Sequence, residues 1–368
     1  MTSIIEWNET RVAKACLASF PFFGSRTLRK LWSAYPNPAW AWLASPEALI
    51  ANGAPEQAAM KFSDWRASVD PEALIKRLDR EGIRVLFRDD PGYPQSFQMS
   101  SNPPEILFVR GVLEDRPSVA VVGTRRMTSY GRQCVAAIVP DLVRSGLSII
   151  SGLALGVDAE AHKTAIENEG YTVAILGTGV DDDSIYPREN FHLAQRILSQ
   201  GGAVISEFPI GTDSRREHFP MRNRLIATLS AATLVIEASE ESGSLITAKS
   251  ALEENREVLA VPGPIWSEQS RGSNQLIKLG AKVCTMAADV LEAIAYDRPE
   301  LIAQARAELP LDETEAAILE TLVEPLHIDR VAEILGLDAP TMSSKMALLE
   351  IKGLAKPIGG QMWMRKRN

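Results

Sequence analysis

From residue 83 to residue 284 the apolar residues come in short blocks, separated by longer stretches of mixed polarity. Blocks of that length bounded by turn residues predict β-strands, here over 83–87, 105–110, 119–122, 147–150, 172–176, 203–206, 233–237, 258–261 and 282–284. The stretches between most of them carry helix caps or glycine stops. Regular alternation of this kind predicts a mostly parallel sheet with helices on both faces. Pro140 falls inside the first of these helices and should kink it. Before residue 70 the chain is rich in Trp and Ala and reads as helical, with one helix opening at Gly24-Ser25. Such a turn can contact a nucleic-acid backbone in a helix-hairpin-helix, but more commonly it joins two helices. After a polar linker, helices over 311–319, 328–335 and 341–352, a turn at Gly336 and a hairpin at Gly359-Gly360 outline a winged helix.

Composition narrows this picture. With 45% apolar and 23% charged residues over 368 positions, the chain is globular and long enough for two or three domains. Cys16, Cys134 and Cys284 are far apart and the four histidines show no ligand spacing, so no metal site and a reducing cytoplasm are expected. The sequence shows no signal peptide and no membrane span. A net charge of −8 means that any polyanion site must be a local basic patch on an acidic body.

The candidate chemistry lies where strands end. Gly123-Thr124-Arg125 follows one strand, Ser151-Gly152 the next, and Ser242-Gly243-Ser244 precedes a helix over 245–254. Small residues let backbone N–H groups approach an anion, and an arginine fork can clasp a phosphate. Three such turns at one edge of a sheet point to a phosphate-reading, Rossmann-like site. The dinucleotide fingerprint is missing, and Gly177-Thr178-Gly179 runs into Val-Asp-Asp-Asp, which would repel a pyrophosphate. No cofactor is expected. The stretch after the strand at 203–206 carries Arg215, Arg216, Arg222 and Arg224 around Phe219, ahead of a helix over 225–229. Cations beside an aromatic ring suit single-stranded nucleic acid, and Tyr186 offers a second platform. Pairing of Arg222 or Arg224 with Glu207 or Glu217 would instead fasten the loop, and at least one of these arginines should be structural.

The chain resembles the DNA-processing protein A (DprA/Smf) family. The matching segments are Val121-Val-Gly-Thr-Arg125, Ser151-Gly-Leu-Ala-Leu-Gly-Val-Asp-Ala-Glu-Ala-His162, Ser206-Glu-Phe208, Phe219-Pro-Met-Arg-Asn-Arg224, Ser242-Gly-Ser-Leu-Ile-Thr-Ala248, Val261-Pro-Gly263 and Gly272-Ser-Asn-Gln-Leu-Ile277. They span roughly residues 80–295. The resemblance implies an extended Rossmann-like core over 76–296 that binds single-stranded DNA and forms a homodimer. It implies an N-terminal helical domain of SAM or helix-hairpin-helix type over 1–75, a linker over 297–310 and a winged-helix domain over 311–368. It further implies a recombination mediator that loads RecA onto strands coated by single-strand-binding protein during natural transformation. By motif position Arg125 is the phosphate-pocket arginine, Arg216 a basic DNA contact and Phe219 the stacking aromatic. The remaining site candidates are Gly123, Thr124, Ser151, Gly152, Arg222, Asn223, Arg224, Gly243 and Ser244.

Two rival readings remain. Rossmann-type enzymes that bind or hydrolyse nucleotides place a carboxylate soon after the Gly-rich turn. Here none occurs from Gly243 to Leu252. Asp158, Glu160, Glu207 and Glu237 are the possible acids, and they read as caps or ion-pair partners. A transcription regulator acting through the winged helix would need more cations than Lys345, Lys352, Lys356 and Arg365, and its recognition helix is interrupted by Met346, Ala347 and Leu348.

Overall fold

Each apolar block of the central stretch forms a strand, within a residue or two of the predicted bounds. They are β1 (Ile83–Phe87), β2 (Ile106–Gly111), β3 (Ser118–Val122), β4 (Ser148–Ser151), β5 (Thr172–Ile175), β6 (Ala203–Ser206), β7 (Ala232–Val235), β8 (Glu257–Ala260) and β9 (Lys282–Val283). The structure is a computed structural model and describes residues 7–294 and 311–366. One nine-stranded sheet results, in the order β1-β2-β6-β5-β4-β3-β7-β8-β9. β1 pairs with β2, and β2 with β6, antiparallel; every other pairing is parallel. Every residue of β3 to β7 is buried, as a parallel sheet covered on both faces requires. This is an extended Rossmann-like fold.

The strand order contains the feature that positions a site. From β3 the chain moves one way through β4, β5 and β6, then crosses back to place β7 on the other side of β3. The loops after β3 and β7 therefore diverge and leave a crevice at the carboxyl ends of the strands. The helix Ser129–Arg144, which follows β3, runs unbroken through Pro140, so the expected kink does not divide it. Val135, Ile138, Val139 and Leu142 are all buried, and their packing holds the turns on either side in line.

Ahead of the sheet lie helices Glu9–Ala18, Ser25–Ala34, Pro38–Leu43, Pro46–Ala51, Glu56–Ser68 and Pro71–Arg80. Three of them start with Pro after an Asn37, Ser45 or Asp70 cap, where the missing proline N–H costs nothing. Their core is continuous with that of the sheet: Phe20, Phe62 and Leu78 belong to one buried cluster with Val85, Phe108 and Leu176. Arg11 holds Asp90 through two hydrogen bonds of 2.5 and 2.8 Å. The Gly24-Ser25 turn is docked inward. Ser25 Oγ donates to Glu207 at 2.7 Å and accepts the Glu105 N–H at 3.1 Å. The described residues up to Ile294 accordingly make one compact unit, with no break in packing near residue 75, and those from Leu311 belong to another; the expected linker over 297–310 lies outside the described residues.

The second unit is a winged helix. Helices Glu313–Thr321, Ile328–Leu335 and Ala339–Ile351 pack with a small sheet of β10 (Leu326–His327), β12 (Met362–Arg365) and β11 (Ala355–Gly359), in that order. A reciprocal Asp312–Glu315 capping box starts its first helix, and left-handed Gly336 (φ +65°) ends the second. Among the described residues no helix is long and apolar enough to cross a membrane.

The shared core makes a testable asymmetry. A chain ending at Ile294 should keep a cooperative thermal melt by circular dichroism. A chain lacking residues 1–75 should lose it, because Phe20 and Phe62 leave the common cluster and each deletion of that size costs about 3–5 kcal/mol.

Candidate functional site

At the switch point the loops after β3, β4 and β7 and the helix after β6 enclose a cavity of about 370 Å³. Gly123 turns the chain out of β3 where no Cβ would fit: one would lie 2.7 Å from Val157 Cγ2 and 2.8 Å from the Glu237 carbonyl. Thr124 lines the cavity, but its donors are taken. Its N–H donates to the Glu237 carbonyl at 2.7 Å and its hydroxyl to Gln269 Oε1 at 3.0 Å. The expected role of these donors on a phosphate is corrected accordingly: they tie the loop to the neighbouring strand end and to helix Glu268–Lys278.

Arg125 is different. It is exposed, and its guanidinium lies 5.2 Å from the centroid of Phe219. Among the described residues it has no hydrogen-bond or ion-pair partner. Arg126, beside it, lines the same cavity and is exposed; its N–H donates to the Thr124 hydroxyl at 3.1 Å, and its guanidinium has no partner among the described residues. Sequence reading passed over Arg126, although it adjoins Arg125.

Helix formation sorts the arginines after β6. The helix expected over 225–229 begins much earlier, spanning His218–Leu229. Pro220 sits in its first turn, where a missing N–H is harmless. Helical periodicity then sends Arg222 inward, where it is 4% exposed. Its Nη1 donates to the Gly152 carbonyl at 2.6 Å and also to the Ile175 carbonyl, and Nε donates to Asn223 Oδ1 at 3.1 Å. Burial draws this guanidinium down to about 10, with Asp158 opposing the shift and Arg125 adding to it. Burial likewise raises Asp158, against the pull of Arg222 and the Gly152 N–H. Arg222 is thus a structural cation beneath the cavity and not a free contact.

The other candidates divide the same way. The Ser151 hydroxyl donates to the Val121 carbonyl at 2.7 Å and is fully buried. The Gly152 N–H goes to Asp158 Oδ2 at 3.1 Å, and a Cβ there would lie 2.6 Å from Arg222 Cζ. Neither offers a donor to a ligand. Arg224 pairs with Glu207 and donates to the Asn102 carbonyl at 2.7 Å. Asn223 Nδ2 donates to the Gly243 carbonyl at 3.1 Å and so fastens the third turn. Gly243 itself is exposed, and helix Ser244–Glu253 starts there without a side-chain cap. Its N-terminus, with the Ser242 and Ser244 hydroxyls 2.8 Å apart, faces the cavity as an anion-favouring dipole end. Arg216 is exposed and unpaired among the described residues, outside the cavity lining. Tyr186 is 42% exposed, with its ring 6.0 Å from that of Phe219.

The profile of the family described as DNA recombination-mediator protein A matches residues 84–295, and that of the DprA winged helix domain matches 303–361. The chain belongs to the DNA recombination-mediator protein A (DprA/Smf) family. Protein Smf of Synechocystis is 33% identical over 366 residues, covering 89% of this chain and 91% of its own. The DprA crystal structure from Streptococcus pneumoniae superposes with a TM-score of 0.64 at 32% identity, over 78% of this chain and 98% of that one. A Helicobacter pylori DprA structure, described as showing a single-stranded DNA binding mode, gives 0.52 at 29% identity over 58% and 96%.

In this DprA-family chain the acids near the crevice are bound up. Glu237 accepts the Thr128 N–H at 2.9 Å and hydroxyl at 2.6 Å, which caps helix Ser129–Arg144 from another element. Glu207 holds Arg224, and Glu160 lies 3.5 Å from Arg132. His162 closes the family motif that opens at Ser151. It is fully buried, with Nδ1 2.7 Å from Thr172 Oγ1, and Nε2 has no partner among the described residues.

Burial, reinforced by the charge of Arg222, lowers His162 to about 3. The folded state therefore keeps it neutral while the unfolded chain protonates near 6.5. Its contribution to stability is present above that value and is lost as pH falls through the window from 6.5 to 3. Between pH 6.5 and 5 this group alone should cost about 2 kcal/mol. Urea unfolding across that range, compared with His162→Gln, checks the slope. In the same assay Arg222→Ala should cost about 2–6 kcal/mol at neutral pH by leaving the buried Gly152 and Ile175 carbonyls unpaired.

Proposed function

We propose that the protein binds single-stranded DNA at the switch-point crevice and serves as a recombination mediator, delivering the strand to RecA. One observation carries the reading. The unpaired Arg125 lies over Phe219 at the mouth of the crevice, with exposed Arg126 beside it, while Arg222 is buried and Arg224 is paired with Glu207. A phosphate there meets the Arg125 fork, the Arg126 cation and the uncapped helix end at Gly243. A base meets the aromatic pair of Phe219 and Tyr186. Stacking tolerates any base, so the expected preference is for single strands with little sequence discrimination. The description of the Helicobacter relative supports the ligand. Displacement of single-strand-binding protein, a homodimeric state, a cytoplasmic setting and a place in natural transformation belong to the same reading.

The engagement of Asp158 and Glu237 in backbone contacts supports binding over nucleotide hydrolysis, since a general acid or base must be free to reach its substrate. Release of base from nucleoside monophosphates would favour the enzyme instead.

Titrations of a fluorescent oligothymidine at several salt concentrations test the site. Arg125→Ala should lose about 1.5–3 kcal/mol of binding, and Arg125→Lys should recover only part of it. Phe219→Ala should lose about 1–3 kcal/mol with the salt slope nearly unchanged. Arg216→Ala should flatten that slope by about 0.7. Parent-like binding by a folded Arg125→Ala protein, or tighter binding to duplex than to single strands, overturns the assignment.

A further inference from the structure

A second cleft is lined by Arg215 and His218, next in the chain to Arg216 and Phe219. It encloses about 490 Å³, within the ~300–1,000 Å³ of ligand sites, and is walled by the N-terminal helices and the loop after β6. Trp65, Leu74 and Ile210 give it an apolar wall, and Phe208 and His218 form a stacked pair 4.1 Å apart and tilted by 23°. Arg215 lines it and is exposed, its guanidinium without a partner among the described residues. The cleft is a built feature. Buried Asp181 accepts the Gly211 N–H at 2.9 Å and the Ser184 hydroxyl at 2.9 Å, and it meets Arg77 at 3.3 Å, which pins the loop against the helices.

Chain continuity links the two cavities. His218 lines this cleft and Phe219, the next residue, lines the crevice. Arg215, which lines this cleft, and Arg216 precede them in the chain, both exposed and with no anionic partner among the described residues. An aromatic wall flanked by free cations is the arrangement that holds a base and its phosphate. His218 Nδ1 donates to the Gly177 carbonyl at 3.1 Å, which fixes the ring against the cleft, and burial lowers its ionisation from the usual range.

We propose that this cleft is a second base-holding subsite: a single strand seated in the switch-point crevice continues over Arg216 and places a further nucleotide against the Phe208–His218 pair, its phosphate on Arg215. The inference rests on the proposed binding of single strands at the crevice. It gives the N-terminal helices a part in the footprint of the strand, since Trp65 and Leu74 belong to them.

The test is the length dependence of binding. Fluorescent oligothymidines of about four to about sixteen nucleotides, the span of site sizes of single-strand-binding folds, are titrated by anisotropy. The proteins are the parent, Arg215→Glu at an exposed lining position and Ala73→Trp, which fills the cleft from another. Both variants should bind the shortest oligomer as the parent does and the longer ones about tenfold more weakly, with melting temperatures unchanged. Parent-like binding by both at every length overturns the inference, and so does an equal loss at every length. Failure of the parent to bind any oligomer removes the proposed function and this inference with it. A normal parent, with only the variants failing to show a length effect, removes the second subsite alone.

Discussion

A guanidinium buried under the strand ends holds together three segments far apart in the chain. Arg222 reaches from the helix after β6 to the carbonyls of Gly152, after β4, and Ile175, at the end of β5. Burying an unpaired cation would be prohibitive, and here the carbonyls, the Asn223 side chain and the nearby Asp158 share its charge. The residue above it must be glycine, because a Cβ at position 152 would enter the guanidinium. Phe219 stands in the first turn of the same helix, His218–Leu229, so anchoring Arg222 also holds that ring in place.

What the crevice can do follows from how its arginines are spent. Arg222 is neutralised inside, Arg224 is consumed by Glu207 and a carbonyl, and Arg125 is left outside on the Phe219 ring. Charge that is already paired adds little to binding a phosphate. Charge held at a cavity mouth by an aromatic face is available without a rearrangement. An acidic protein, with a net charge of −8, can thus present a small cationic edge without being basic overall. The helix that starts after Gly243 adds the positive end of its dipole, which needs no further basic residue.

The glycines and hydroxyls of the strand-end turns serve this arrangement more than they serve a ligand. Thr124, Ser151 and Gly152 direct their donors into the protein and fix the loops at the angles that open the crevice. Turn chemistry of this kind looks the same in sequence whether the donors point inward or outward. Glu237 shows the converse: a carboxylate at a strand end, available to catalysis by sequence, is the remote cap of the helix after β3.

The sequence by itself determined the strands, their mostly parallel assembly, the winged helix and the gathering of Gly123, Gly152 and Gly243 at one edge, because hydrophobic period and turn residues are local properties. It also marked Arg125, which directly follows a strand and so leans over the sheet's edge. Tertiary structure decided which donors remain free, since that depends on partners such as Gln269, Ile175 and Asn102 that lie far off in the chain. It decided that the N-terminal helices share the sheet's core, since Phe62 and Leu78 fall in one buried cluster with residues beyond 83. It began the helix at His218 and not near 225, which sets Arg222 against the strand-end carbonyls of Gly152 and Ile175.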